Sequence, residues 1–60
     1  MKVYVVMVDD CAGSFIYGIF AKKEIAERER EKYESMVNRG LDEGDEYYTY
    51  CIVKEYSVIN

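Results

Sequence analysis

The stretch KVYVVMVDDCAGSFIYGIF, residues 2–20, decides the fold. Residues 2–8 (KVYVVMV) are β-branched and aromatic and predict a strand. Residues 9–13 (DDCAG) combine acids, a small residue and a glycine, the composition of a turn. Residues 14–20 (SFIYGIF) read as a second strand, and the short connection makes the pair a hairpin. Successive strand residues point to opposite faces. Val3, Val5 and Met7 therefore share one face of the first strand, and Tyr4, Val6 and Val8 the other. The corresponding sets in the second strand are Phe15, Tyr17, Ile19 and Ile16, Gly18, Phe20. All four sets are apolar, whereas a sheet with one face in water alternates apolar and polar residues.

Beyond the hairpin the pattern changes. Residues 22–39 are strong helix formers with scattered apolar positions, and Gly40 supplies a stop. Ala21 falls at the N-cap, where it caps poorly. Lys22 and Lys23 sit at the positive end of the helix dipole. Glu24, Glu27, Arg28, Glu31 and Lys32 offer ion pairs along a solvated face. At 100° per residue, Ile25, Ala26, Tyr33, Met36 and Val37 form an apolar stripe. Glu29 falls inside it. Its stem is expected to pack while its carboxylate reaches solvent; the alternative is a carboxylate held by tyrosine hydroxyls or by a partner. Residues 40–46 (GLDEGDE) form an acidic loop, and residues 47–56 (YYTYCIVKEY) a third strand, extending towards Ile59. Thr49 and Glu55 mark one face of that strand as partly wet.

These elements assemble as an α+β domain of ββαβ order spanning residues 1–60. If the first strand runs up and the second down, the helix returns up and the third strand runs down. Pairing the third strand with the first gives a three-stranded antiparallel sheet of order 2-1-3, with the most apolar strand in the centre. One helix on one face leaves the other face uncovered. Tyr4, Val6, Val8, Tyr17, Tyr48 and Tyr50 are assigned to the face that meets a second copy or another protein, since tyrosine combines an apolar body with a polar tip. A homodimer is expected, as two-fold dimers are the commonest assembly, through either the sheet face or a sheet edge. A face kept for a foreign partner is the alternative. A third is that the strands merely express β-propensity, with the tyrosines left in water.

Composition narrows the function. A chain of 60 residues has a marginal core and usually needs disulfides, a metal or oligomerisation to secure it. Two cysteines, Cys11 and Cys51, make no disulfide framework, and the absence of histidine excludes a Cys/His zinc site. Oligomerisation remains. The net charge of −4 argues against direct nucleic-acid binding and suits a partner with a basic surface. No apolar run reaches the roughly 18 residues of a membrane span, and the N-terminus lacks the features of a signal peptide. A cytoplasmic location with reduced thiols is expected.

The topology also gathers charge. The first turn and the helix-to-strand loop share one end of the domain, bringing together Asp9, Asp10, Asp42, Glu43, Asp45 and Glu46. This pole is read as the surface that meets a basic partner, because clustered carboxylates suit Arg and Lys. Solvated loops that aid solubility are the plainer reading. Weak divalent-metal binding is a third, although residues 42–46 lack the spacing and final glutamate of a calcium loop; no cofactor or metal ligand is assigned. Catalysis is not expected. There is no histidine to activate a nucleophile, Cys11 lies in a turn flanked by acids, and no glycine loop for phosphate is present.

The opening KVYVV, the GIF that ends the second strand, the AKKEIAERE that begins the helix and the closing YCIVKEYSV resemble a family of short proteins from phages and prophages of Gram-positive bacteria. These segments span nearly the whole chain. Ala21 departs from the small polar residue usual in the family after the phenylalanine. The resemblance implies a phage accessory protein in the host cytoplasm, a dimer that inhibits a host defence or nucleic-acid-handling protein by stoichiometric binding. A structural or regulatory dimer with no inhibitory role is the alternative.

Overall fold

The computed structural model describes residues 1–59. Its elements are β1 (Lys2–Asp10), β2 (Gly13–Phe20), α1 (Lys23–Val37) and β3 (Tyr50–Ser57). The sheet has the order β2-β1-β3, antiparallel throughout, with α1 on one face. This is the α+β ββαβ architecture expected from the patterning. No helix among the described residues is long and apolar enough to cross a membrane.

The hairpin turns at Cys11 and Ala12, where the Asp10 carboxylate accepts the Ala12 amide proton at 2.9 Å. Gly13 follows with φ of 136°, a backbone conformation that side-chain-bearing residues rarely adopt. Both strands are longer than their apolar runs, because the turn residues Asp10 and Gly13 also pair. The third strand starts later than expected. Residues 47–49 lie outside it, since the Tyr48 amide donates to the Asp45 carbonyl at 3.0 Å and turns the chain instead.

The helix begins one residue later than expected. Its N-cap is Lys22, with no side-chain cap. It ends at Asn38, and Gly40, at φ of 82°, completes the turn in which the Leu41 amide donates to the Asn38 carbonyl at 2.9 Å. The buried stripe differs from the expected one. Ala26 is fully buried, and Tyr33 and Val37 are half-buried, but Ile25 and Met36 are 38% and 60% exposed. Arg30 and Glu34 take their place against the sheet. Arg30 gathers the helix ion pairs, reaching Glu27 at 3.3 Å and Glu34 at 3.5 Å, so the expected pairing along the outer face gives way to a network beside the sheet. Glu29 is half-buried, and among the described residues no hydrogen bond reaches its carboxylate.

The core is thin. Val6 and Val8 are the largest fully buried side chains, joined by Val5, Ala26 and Cys51. Burying a valine fully contributes about 1.5–3 kcal/mol, and no aromatic ring adds to that sum at full burial. The domain measures 42 × 21 × 14 Å, a slab of one sheet and one helix. Its radius of gyration of 12.5 Å exceeds the roughly 10.4 Å typical of a compact chain of this length.

Candidate functional site: an uncovered sheet face and an acidic pole

The register assigns every strand residue to a side. Residues directly opposite across a ladder share a face. Val6 and Val8, at 0% exposure, define the face under the helix. Their partners are Gly18 and Phe15 on β2 and Val53 and Cys51 on β3. The opposite face carries Val3, Val5 and Met7, with Ile19 and Ile16 across one ladder and Tyr56, Lys54 and Ile52 across the other; Tyr50 joins them opposite Asp9. Among the described residues no element covers that second face.

A β-bulge sets this arrangement. The register slips between Val6 and Met7, whose partners are Gly18 and Ile16, leaving Tyr17 as the extra residue. Strict alternation along β2 would group Phe15 with Ile19 and Ile16 with Phe20. The bulge reverses the parity of one half, so Phe15 and Phe20 lie on the helix face and Ile16 and Ile19 on the open one. Tyr17 turns to the helix and packs on Tyr33 with ring centroids 4.7 Å apart. Gly18 is needed beside it, because a Cβ there would lie 2.9 Å from two atoms of the Phe20 ring.

The expected partner face is therefore corrected. Val6 and Val8 are buried, Tyr4 is half-buried on the same side, and Tyr17 stacks under the helix. Tyr48 is half-buried near Asn38 and Glu34; partial burial and then the Glu34 and Glu43 carboxylates push its hydroxyl above the usual tyrosine range. Of the six residues, Tyr50 alone lies on the open face. The physical reason is that the helix settles on the Val6 and Val8 side of β1, which was indistinguishable by composition from the other. On the open face Ile16, Ile19, Ile52, Tyr50 and Tyr56 are 56%, 61%, 51%, 47% and 48% exposed. A shallow hollow of about 220 Å³, whose lining includes Met7, Asp9, Ser14, Tyr50, Ile52 and Lys54, opens at one end of it.

The start of the β3 edge is protected where the face is not. Asn38 clamps the start of β3: its side-chain amide donates to the Thr49 carbonyl at 2.8 Å and its oxygen accepts the Thr49 amide proton at 2.7 Å. The Glu34 carboxylate accepts the Cys51 amide proton at 2.9 Å. Thr49 is consequently buried rather than wet, while Glu55 is exposed and pairs with Lys2 at 3.2 Å. Neither Asn38 nor Glu34 stands out in the sequence. An asparagine two residues before a helix-ending glycine is the one signal that could have drawn notice to the clamp.

The acidic loop and the hairpin turn lie at the same end of the sheet. Asp9 faces Tyr50 across the ladder, and the Tyr50 hydroxyl donates to the Glu43 carbonyl at 2.6 Å, tying the loop to the hairpin end. Asp10 and Asp45 serve their own turns, Asp45 accepting the Tyr47 amide proton at 2.9 Å. The Asp9 carboxylate accepts the Ser14 hydroxyl proton at 3.2 Å. Among the described residues no three His, Cys, Asp or Glu side chains converge to hold a metal ion.

Comparison with protein-family models, curated proteins and solved structures returned no match. The geometry alone therefore carries the functional reading. Cys11 is exposed in its turn and Cys51 is buried, and the two are not bonded. Burial, then the Glu34 carboxylate, raises the Cys51 thiol above its usual range, against a smaller opposing effect of Arg30.

Proposed function

We propose that this chain is a non-catalytic protein-binding module whose recognition surface is the uncovered sheet face. One observation carries the reading: five large apolar side chains, each about half exposed, lie together on one face with no layer over them. Contiguous apolar patches beyond a few hundred Å² on a soluble domain mark interaction sites. Binding fits the surface better than catalysis does, because the hollow at the end of this face, about 220 Å³, is smaller than the roughly 300–1,000 Å³ of substrate pockets.

The test is a pair of charge insertions. Ile52→Glu sits on the open face opposite Met7, and Met36→Glu, at a site no less exposed, sits on the helix. Protein binding that is lost with Ile52→Glu and kept with Met36→Glu supports the reading. Binding untouched by Ile52→Glu and by Ile19→Glu overturns it.

The acidic pole supports a narrower reading, stoichiometric inhibition of a host protein with a basic surface. The gathering of six carboxylates at one end favours it, and the phage setting, host-cytoplasmic location and inhibitory role follow from the resemblance of the sequence. Replacing Asp42, Glu43, Asp45 and Glu46 with Asn or Gln should weaken docking to such a target without unfolding the domain. Unchanged target binding would remove this reading and leave the open face in place.

A further inference from the structure

We infer that the open sheet face is covered by a second copy of the same chain, packed face to face with the strands of the two sheets antiparallel. The inference rests on the proposed reading of that face as an interaction surface and names its occupant.

Three features point to a second copy. The first is what the single chain lacks. Its core contains two valines as the largest fully buried side chains, and it is a thin slab, 14 Å across its shortest axis, of one sheet and one helix. Domains this small commonly gain stability by oligomerising.

The second is area. Ile16, Ile19, Ile52, Tyr50 and Tyr56, each about half exposed, offer roughly 500 Å² together if a large side chain presents about 200 Å² when fully open. A standard interface buries about 800 Å² per partner, and the rims of Val3, Met7 and Lys54 add to the five. Packed at the usual spacing of about 10 Å, the two sheets form the centre of a four-layer helix-sheet-sheet-helix sandwich.

The third is charge, which selects the orientation. The acidic pole lies at the hairpin end of β1, and Lys22 and Lys23 lie at the other end, after β2. A two-fold axis along the strands would stack the two acidic poles on each other. An axis in the sheet plane and across the strands places each acidic pole over the lysine end of the partner. The second arrangement relieves repulsion in a chain of net charge −4. Lys54, on edge strand β3, can lay its stem on the interface and keep its ammonium at the rim.

Edge-to-edge pairing fits less well. At the start of β3, Asn38 and Glu34 occupy the amides of Thr49 and Cys51, and Lys54 and Glu55 follow. On β2 the bulge at Tyr17 breaks the register that an added strand would need.

The experiment is sedimentation equilibrium of the full chain at about 10 and 100 µM, with the dye ANS as a probe of exposed apolar surface. The expected result is twice the 7.1 kDa chain mass for the wild type and for Met36→Glu. Ile52→Glu should return the single-chain mass with an unchanged circular dichroism spectrum. If Ile52→Glu fails to fold, Ile19→Glu, on the opposite edge strand of the same face, provides the same comparison. A dimer that survives both face variants overturns the inference. A monomeric wild type also overturns it, and ANS then separates the two levels. Dye binding that Ile52→Glu abolishes keeps the interaction face for a foreign partner; no dye binding removes that reading too.

Discussion

Replacing Asn38 with alanine removes the clamp that ties the end of α1 to the start of β3. Two hydrogen bonds are lost, at 2.8 and 2.7 Å, and both end on the backbone of Thr49, which is 8% exposed. A hydrogen bond contributes about 0.5–1.5 kcal/mol net, and a buried group left without a partner costs about 1–3 kcal/mol. β3 is an edge strand, so water reaches part of the site, and the combined loss is about 2–3 kcal/mol. That is a large share of the roughly 3–9 kcal/mol available to a chain of this length. At about 4–8 °C per kcal/mol for a small domain, the melting temperature should fall by roughly 10–20 °C. The assay is a thermal melt by circular dichroism at fixed protein concentration, because assembly makes the midpoint concentration-dependent. Asn38→Asp keeps the acceptor for the Thr49 amide and loses the donor, so it should fall between the two. A shift below about 3 °C for Asn38→Ala would refute the claim that this amide holds the helix to the sheet.

Other consequences follow from the same contacts. Gly18→Val should force the Phe20 ring off its seat, where an added Cβ would come within 2.9 Å, at a cost of about 1–3 kcal/mol; the loss should be less than additive with Phe20→Ala in a denaturant double-mutant cycle. In the folded protein a thiol reagent should label exposed Cys11 quickly and buried Cys51 only on unfolding, as mass spectrometry of the labelled peptides would show. Because burial raises the Cys51 thiol above its usual 9.0, the folded state holds that proton longer than the unfolded one. Its contribution is complete below pH 9.0 and is lost as pH rises above it, so Cys51→Ala should flatten the alkaline limb of a stability-versus-pH curve. Neutralising Asp42, Glu43, Asp45 and Glu46 should leave the fold intact and raise the melting temperature slightly at low salt, a gain that added salt removes.

Much of the fold was legible because β1 and β2 are dense in β-branched and aromatic residues and α1 is dense in helix formers. Strand order followed from the direction of each element and from the continuous apolarity of β1. The acidic pole was equally legible, since topology alone brings residues 9–10 and 42–46 to one end. The face assignment was not. Both faces of β1 are apolar, so nothing in Val3–Val8 tells which side the helix takes, and the bulge at Tyr17 has no mark except the Gly18 beside it. The buried stripe of the helix is hidden in the sequence for a related reason. Glu34 looks like a surface residue, yet its carboxylate accepts the Cys51 edge amide proton, Arg30 pairs with it, and Ile25 and Met36 are exposed instead.

The central claim is that the open face meets its own copy. Its most direct measurement is an isotope-filtered NOE experiment on a mixture of labelled and unlabelled chains, read at the isoleucine methyls. Cross-peaks to the unlabelled chain are expected from Ile16, Ile19 and Ile52, and none from Ile25. Cross-peaks confined to Ile25, or none in a sample of single-chain mass, would contradict it.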